Sequence, residues 1–293
     1  MALKDLRASY LSGNISKPDY RASIHKSLTL LAEIGGLMAN TDIKLVNITR
    51  GSIICEFDSV PIKMFVDVND ISSPCVQAMC FYDVEGDYSR KLITSIKTCK
   101  TFFDIGANAG YYSLICGRTN PSAKIFSFEP INHTYMKFLR NVALNSCVNI
   151  EAYNFGFSDH ESTQEMYFNE SESGAGSLRD IRGSGHKEKA NFIRLDDFIE
   201  QHNISPDVMK IDVEGSELFV LKGGEKFLRE KSPVIFIEIL RKWCRAFGHE
   251  ASEVFNLLHN MGYTGHIVKG SELEVIDEMR EDTQDTNFVF IKK

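Results

Sequence analysis

The chain has 293 residues, 43% hydrophobic and 25% charged, a composition typical of a globular protein with a sizeable core. The formal net charge of −7, with no long basic run, argues against a protein that binds nucleic acid through its phosphates. The seven cysteines are scattered without a C-x-x-C pair, so neither a zinc site nor a disulfide framework is indicated. Since the N-terminus has no apolar targeting segment and no stretch reaches membrane-spanning length, we expect a protein of the reducing cytoplasm.

The N-terminal part of the sequence predicts helices followed by short strands. Apolar residues at helical spacing predict helices over 3–11 and 17–38. Three β-rich stretches follow, "IKLVNI", "SIICEF" and "IKMFVDV", and the turn residues between them indicate a small meander. We therefore predict that residues 1–95 form a cap or oligomerisation element and that residues 96–293 form the main domain.

From residue 101 onwards, strand patterns alternate with helix patterns. Short apolar runs predict strands at 101–105, 124–128, 149–154, 208–212 and 234–239, and helical patterns lie at 110–117, 132–145 and 216–230. A helix over 251–261 and the strands "TGHIV" and "NFVFIKK" end the chain. Such alternation predicts a parallel, doubly wound α/β sheet with its ligands at the carboxyl ends of the strands. The Gly-, Ser- and Glu-rich stretch 169–188 is predicted to be a loop, either disordered or ordered over a ligand.

Acidic residues stand at the ends of successive predicted strands. "TFFDIGANAGYYSLICG" ends its strand in Asp104 and continues into a turn where Gly106 can adopt dihedral angles that other residues cannot. The next strand ends in Glu129, the position at which a doubly wound nucleotide site binds ribose hydroxyls. "NFGFSD" is expected to bring Ser158 and Asp159 to the same rim. Each acid alone could be a helix cap or a solvated strand end, but the ordered set favours a ligand site.

The spacing of the glycines limits the class of ligand that the site can bind. G-A-N-A-G lacks the G-x-G-x-x-G spacing that holds a pyrophosphate at a helix N-terminus, which disfavours a dinucleotide. Acids without a phosphate-binding loop suit a ligand with a ribose and a positive charge, as in S-adenosylmethionine. A nicotinamide-dependent oxidoreductase, and a non-catalytic scaffold module that uses the N-terminal helices as its partner surface, remain as alternatives.

Several ordered motifs carry a family resemblance. They are "FFDIGANAGYYS", "FSFEP", "NFGFSD", "IRLDDFI", "VMKIDVEGSELFVLKGG" and "PVIFIEI". Over roughly residues 65–290 the sequence resembles the FkbM family of S-adenosylmethionine-dependent methyltransferases. The resemblance implies a class I methyltransferase fold, a Rossmann-like sheet of seven strands with the last antiparallel. It also implies methylation of a hydroxyl oxygen, often on a sugar or a polyketide-type metabolite.

The resemblance also implies the cofactor contacts. Asp104, Gly106 and Asn108 would lie along the methionine and sugar part, Glu129 would bind the ribose hydroxyls, and the segment after Phe157 would face the adenine. The full expected set is Asp104, Gly106, Asn108, Gly110, Tyr111, Glu129, Pro130, Phe157, Ser158 and Asp159. The helices over residues 1–45 lie outside the resemblance. We expect that, if the chain forms a homo-oligomer, these helices form the interface.

The end of the fourth predicted strand carries the candidate catalytic groups. "KIDVEGSE" supplies Lys210, Asp212, Glu214 and Glu217, and the next strand ends in Glu238. An alcohol is a poor nucleophile unless a base removes its proton, so Asp212 or Glu238 is our hypothetical general base. Repulsion or burial would raise the pKa of one carboxyl, and Lys210 would pair with one of them. A structural charge network, or a divalent metal held by the acids, remains an alternative.

The predicted acceptor contacts are more scattered. After the fifth strand, Trp243 could stack on a sugar ring and Arg241 or Arg245 could bind an anionic group, although Trp243 could equally anchor the loop. We expect His249 at the surface. The remaining predicted contacts with the small-molecule or glycan acceptor are Glu214, Ser177, Tyr82 and Tyr88.

Overall fold

The computed structural model describes residues 3–80, 86–169, 171–180, 183 and 185–292. The helices are α1 (Leu3–Leu11), α2 (Lys17–Met38), α3 (Pro74–Cys80), α4 (Gly86–Ile96), α5 (Tyr111–Thr119), α6 (Asn132–Asn145), α7 (Leu195–His202), α8 (Glu217–Gly223), α9 (Glu225–Glu230), α10 (Arg241–Ala246) and α11 (Ala251–Asn260). The strands are β1 (Ile43–Ile48), β2 (Ile53–Phe57), β3 (Lys63–Phe65), β4 (Thr101–Ile105), β5 (Lys124–Phe128), β6 (Ile150–Tyr153), β7 (Gly156–Phe157), β8 (Ser162–Asn169), β9 (Glu172–Ser177), β10 (His186–Ile193), β11 (Val208–Ile211), β12 (Val234–Glu238), β13 (Tyr263–Lys269), β14 (Glu272–Val275) and β15 (Asn287–Lys292). Among these helices, none combines the length and the apolar character that crossing a bilayer requires.

The main sheet has the strand order β14-β13-β15-β12-β11-β4-β5-β6. β6, β5, β4, β11 and β12 are parallel, and β15 runs antiparallel to both of its neighbours. The alternating pattern thus gives the expected α/β architecture. The predicted number of seven strands is wrong, because β14 folds back on β13 as a hairpin and adds an eighth strand at the edge.

The central strands are buried on both faces, as parallel sheets require. In β4, Phe102 packs into the hydrophobic cluster on one face, whereas Phe103 packs into the cluster on the other. In β12, Phe236 and Ile237 divide in the same way. The continuous apolar runs seen in the sequence are therefore two-sided strands, whose carboxyl ends are fixed in place by core packing.

A second sheet, of order β7-β10-β8-β9, stands where the sequence predicted a loop and a strand end. Part of the stretch 169–188 forms β9 and the start of β10, and "NFGFSD" begins the second sheet through β7 instead of ending the third strand of the main sheet. The alternation of buried Met166 and Phe168 in β8, and of Ala190 and Phe192 in β10, explains this sheet. Their apolar side chains cluster with Ile131 at the start of α6.

Two further expectations differ from the structure. The predicted helix over 216–230 is divided into α8 and α9 at Gly224, and the predicted loop after the fifth strand contains α10. The N-terminal meander forms as predicted, with β2 between β1 and β3.

The meander is fixed to the main sheet. The amides of Lys63 and Phe65 donate to the side chains of Asn145 (2.8 Å) and Asn141 (3.0 Å) on α6. Met64 shares a hydrophobic cluster with Phe102 and other residues of the main sheet. The meander and the sheet thus share one core, and the proposed boundary at residue 95 stays a prediction.

Candidate functional site

A pocket lies at the carboxyl ends of β4, β5 and β11, with the second sheet as one wall. It brings together seven of the residues predicted from the sequence: Gly106, Asn108, Glu129, Pro130, Phe157, Asp212 and Glu214. The sequence reasoning missed the apolar wall formed by Ile131, Met166, Gly176 and Phe192. The period-2 pattern of β8 and β10 was the signal that could have indicated it.

The turn after β4 is built for close backbone approach. The amides of Gly106 and Ala107 both donate to the carbonyl oxygen of Phe128, at 3.0 Å each, which joins this turn to the end of β5. Gly106 has φ +79°, and a Cβ atom there would lie 1.8 Å from the carbonyl oxygen of Asp212. Asn108 also has a left-handed backbone, with φ +49°. The turn therefore requires glycine at 106 for two separate reasons.

Glu129 connects the tips of β4 and β5. Its Oε2 accepts from the amide of Asn108 (3.0 Å) and its Oε1 from the amide of Ile131 (2.9 Å). Burial raises the pKa of Glu129 to about 7, although the two amide hydrogen bonds oppose the shift. Because each carboxylate oxygen has two lone pairs, both oxygens can still accept from a ligand hydroxyl.

Asp104 lies beneath the pocket, buried to 1% exposure. Its Oδ2 accepts from the Ser113 hydroxyl (2.5 Å) and amide (3.2 Å). Its Oδ1 has no hydrogen-bond partner among the described residues, and it lies 4.0 Å from Nζ of Lys210. Burial raises the pKa of Asp104, and the charge of Lys210 opposes that effect. Asp104 supports the turn and the lysine and does not line the pocket.

Lys210 joins the two aspartates at the strand tips. Its Nζ is 3.0 Å from Oδ2 of Asp212 and lies over the ring of Tyr112. Asp212 lines the pocket, and its amide donates to the carbonyl oxygen of Ile105 (3.0 Å). Glu238, the other candidate base, ends β12 and is not among the residues that line the pocket.

The turn after Asp212 is held from two sides. The carbonyl oxygen of Glu214, which has φ +51°, accepts from the buried hydroxyl of Ser177 in the second sheet (3.0 Å). From the other side, Oε1 of the buried Glu217 accepts from the amides of Gly215 (3.0 Å) and Val213 (3.4 Å). The turn thus links the main sheet to the second sheet.

Glu217 and His249 are buried at the base of this turn. Burial raises the pKa of Glu217 to about 7, and its Oε2 has no hydrogen-bond partner within the described part of the chain. Nε2 of His249 lies 3.1 Å from the carbonyl oxygen of Gly215. The expectation that His249 lies at the surface is wrong, because the residue packs under the turn.

The remaining predicted cofactor residues lie beside the pocket. Gly110 precedes α5 and packs against Phe138, and Tyr111 lies near Phe57 of the meander. Ser158 follows β7, where its amide donates to the carbonyl oxygen of Ile193 (2.9 Å). Asp159 contacts His160. Their roles toward a cofactor stay predictions.

The predicted acceptor residues are dispersed. Arg241 donates to the carbonyl oxygens of Arg280 (2.7 Å) and Thr283 (3.0 Å), and Trp243 is buried beside Gly215. Tyr88 packs edge-on against Phe236 below the sheet. Tyr82 lies outside the described residues. In the part of the chain that the structure describes, no three His, Cys, Asp or Glu side chains form a cluster that could hold a metal.

Comparison with known proteins identifies the family. Residues 104–264, just over half of the chain, match the model of the methyltransferase FkbM domain. A hexuronic acid methyltransferase of Haloferax volcanii is 28% identical over 52% of this chain and 61% of its own length. A methyltransferase of Sordaria araneosa is 31% identical over 42% of this chain and 60% of its own length. The chain thus spans about three fifths of these relatives.

A solved structure of an FkbM methyltransferase from Methylobacillus flagellatus is similar over 66% of this chain and 43% of its own, with 19% identity and a TM-score of 0.42. The resemblance inferred from the motifs is confirmed by the family match, which begins at Asp104 and includes the strand tips that form the pocket. The chain belongs to the FkbM methyltransferase family.

Proposed function

We propose that the chain transfers a methyl group from S-adenosylmethionine to a hydroxyl oxygen of a small molecule or glycan. The observation that carries the proposal is Glu129, a buried carboxyl on the pocket wall whose oxygens are held by the amides of Asn108 and Ile131. A carboxylate fixed in this way can accept both hydroxyls of a ribose. The pocket combines this carboxyl with a turn in which position 106 has no room for a side chain.

The residues present fit this cofactor. Gly106 lines the pocket in a turn that packs closely against the Asp212 backbone, and Oδ1 of Asn108 has no hydrogen-bond partner among the described residues. We assign these two residues to the methionine and sugar part and Glu129 to the ribose. Phe157 and the apolar wall are assigned to the adenine. When bound, S-adenosylmethionine supplies a methyl group on a positively charged sulfur.

Asp212 is the proposed general base. It lines the pocket, and the Lys210 ammonium at 3.0 Å holds its carboxylate in place. As the new C–O bond forms and the C–S bond breaks, the acceptor hydroxyl loses its proton to Asp212. Lys210 is a positioning residue in this scheme, and its pairing with Asp104 below keeps it directed at the strand tips.

The acceptor is proposed to carry a sugar. The relative from Haloferax volcanii is named for methylation of a hexuronic acid, which makes a glycan acceptor our first choice. Glu214 lines the pocket next to Asp212, and Ser177 anchors it from the second sheet. These two residues would therefore face or support the acceptor.

Binding and turnover test the proposal separately. Calorimetry should detect binding of S-adenosylmethionine and none of NAD. Formation of S-adenosylhomocysteine is then followed with a panel of neutral and acidic sugars. Binding of NAD without S-adenosylmethionine would contradict the cofactor assignment, and cofactor binding without turnover on any acceptor would favour the scaffold alternative.

Asp212→Asn tests the base. We expect turnover to fall about 100-fold or more, because the amide cannot take the proton, while cofactor binding changes little. Asp197→Asn, an exposed aspartate on α7, is the matched control and should retain full activity. Unaltered turnover of Asp212→Asn would remove this residue from the mechanism.

The N-terminal helices are proposed to mediate homo-oligomerisation. α1 pairs with the first half of α2, where Tyr10 stacks on Tyr20 at 4.7 Å. In the second half of α2, Leu28, Leu31 and Ile34 are exposed, and no residue of α2 is buried. A long helix is stable mainly through packing of its apolar face, so a second copy would supply the missing cover.

A further inference from the structure

A second cavity, of about 250 Å³, lies between β3, the segment 66–74 and α6. Its volume is just below the range of about 300–1,000 Å³ that is typical of drug-sized ligands, so it suits a single sugar ring better than a nucleotide. Phe65, Val68 and Pro74 form apolar walls, and Ser73 and Arg140 contribute polar groups.

Hydrogen bonds fix the walls of this cavity. Oδ1 of Asn141 accepts from the amide of Phe65 (3.0 Å), and its Nδ2 donates to the carbonyl oxygen of Ala109 (2.9 Å). Ala109 lines the cavity, whereas its neighbour Asn108 lines the cofactor pocket. The same turn therefore forms part of both walls, and Asn141 connects it to the meander.

Two polar groups in the wall are available to a ligand. Ser73 is 5% exposed, and its hydroxyl has no hydrogen-bond partner among the described residues. Cζ of Arg140 lies 4.5 Å from the centroid of the Phe65 ring, and the guanidinium forms no ion pair with a described carboxylate. Packing over a ring leaves the edge of a guanidinium free to bind a carboxylate through two parallel hydrogen bonds.

The two acids of the wall have other partners, and two cations in the same wall balance their charge. Asp67 pairs with Lys137 at 2.8 Å, and the amide and hydroxyl of Ser72 donate to Asp70. Lys137 also lies 3.9 Å from Asp70, and among the described carboxylates none forms an ion pair with Arg140. The cavity combines apolar surfaces, a buried hydroxyl and a guanidinium that has no ion pair with a described carboxylate, and the four charged side chains of its wall sum to zero.

From these features we infer that this cavity binds a pyranose ring that carries a carboxylate. The apolar walls contact the C–H faces of the ring, Ser73 hydrogen-bonds a ring hydroxyl, and Arg140 binds the carboxylate. The inference rests on the proposed function only in assigning this ring to the acceptor glycan, as a ring other than the one methylated.

Calorimetry without cofactor tests the inference, with glucuronate as the probe and glucose as its neutral counterpart. We expect glucuronate to bind at least tenfold more tightly than glucose, since a charged hydrogen bond is lost with the carboxylate. Arg140→Gln should reduce glucuronate binding to the level of glucose, and Arg140→Lys should restore part of it. Ser73→Ala should weaken both sugars several-fold.

Arg21→Gln, an exposed arginine on α2, is the matched control and should bind glucuronate like the wild type. Equal glucuronate affinity in the wild type, Arg140→Gln and Ser73→Ala would overturn the inference, as would equal binding of glucose and glucuronate.

Cofactor binding and turnover are measured on the same proteins. Glucuronate binding that depends on Arg140 without any methyl transfer would support the cavity and count against the proposed function alone. A uronic-acid disaccharide that binds more tightly than glucuronate would support the assignment of the ring to an acceptor, and equal binding would overturn it.

Discussion

The strand-tip site and helix α2 reverse the usual distribution of side chains. At the strand tips, the carboxyls of Asp104, Glu129 and Glu217 are buried. On α2, Leu28 and Leu31 are 58% and 45% exposed. Ionisable groups are rarely buried without partners, and contiguous leucines are rarely left in water. Each exception lowers stability unless something else binds there.

The two regions differ in what that binding partner must offer. Glu129, the buried carboxyl that lines the pocket, can accept from ligand donors such as the hydroxyls of a ribose, whereas Asp104 and Glu217 lie behind the pocket wall. The leucines of α2 need another apolar surface, and no charged residue lies on the helix between Lys26 and Glu33 to interrupt them. We therefore propose that the strand tips bind a small polar molecule and that α2 binds a protein surface.

The strongest way to break the strand-tip site is Gly106→Ala. The new Cβ atom would lie 1.8 Å from the backbone oxygen of Asp212, which flexible side chains cannot relieve. We expect the free energy of unfolding to fall by about 4 kcal/mol or more, with loss of cofactor binding. Gly270→Ala is the control, because its φ is +61° but nothing lies within 4 Å, and it should cost only about 1–2 kcal/mol. Chemical denaturation of both variants measures the difference, and similar costs would show that the turn can relax.

The next largest effect is the pH dependence caused by Glu217. Its pKa is about 7 in the folded protein against an ordinary value of 4.5. The stabilisation from the protonated form is therefore complete below pH 4.5 and is lost as the pH rises through 7, which amounts to roughly 3 kcal/mol. Glu217→Gln removes this titration, so its stability relative to the wild type should increase between pH 5 and pH 8.

Denaturant unfolding at several pH values measures this effect. The pKa of Glu129 is raised as well, so the Glu217→Gln variant retains the part of the pH dependence that Glu129 causes. The difference between Glu217→Gln and the wild type isolates the contribution of Glu217. Parallel pH profiles for the two proteins would mean that water or a structural change solvates the carboxyl of Glu217.

Glu129→Gln sharpens the comparison by separating binding from stability. We expect the Kd for S-adenosylmethionine to rise about 10- to 100-fold, because hydrogen bonds to a charged acceptor are lost. At pH 8 the free energy of unfolding should change by no more than about 1–2 kcal/mol, because the lower cost of burying a neutral amide offsets the loss of one of the two hydrogen bonds from the backbone amides. Glu161→Gln, an exposed glutamate before β8, should change neither quantity. Unchanged affinity in Glu129→Gln would remove the ribose contact from the proposal.

The sequence predicted the parts of the site that depend on neighbours along the chain. Asp104 and Glu129 follow apolar strands directly, so their position at the carboxyl edge could be inferred from the alternation alone. Glu129 lines the pocket together with Gly106, Asn108 and Asp212, whereas Asp104 lies beneath it. These residues are fixed by strand, turn and glycine chemistry, all of which are local.

The missed features depend on distant contacts. Gly176 reaches the pocket because β9 pairs with β8 at the edge of the second sheet, whereas the polar composition around it predicted a loop. His249 is buried because its ring meets the carbonyl oxygen of Gly215, and Arg241 binds carbonyls near residue 280. Nothing in the local sequence around these residues specifies such partners, so their surroundings could be seen only in the folded chain.

The smallest expected effect tests the other half of the comparison. Leu31→Ala on α2 should change the free energy of unfolding of a lone chain by no more than about 0.5 kcal/mol, because the side chain is half in water already. Leu221→Ala, the same change at a fully buried position of α8, should cost about 2–5 kcal/mol.

If a second copy covers α2, the thermal midpoint of the wild type rises with protein concentration, and the cost of Leu31→Ala rises with it. Light scattering on Leu31→Asp, which places a charge in that surface, should then show a monomer that still binds cofactor. A wild type that is monomeric, with a midpoint independent of concentration, would leave the leucines of α2 without a second copy to cover them and would contradict the proposed assembly.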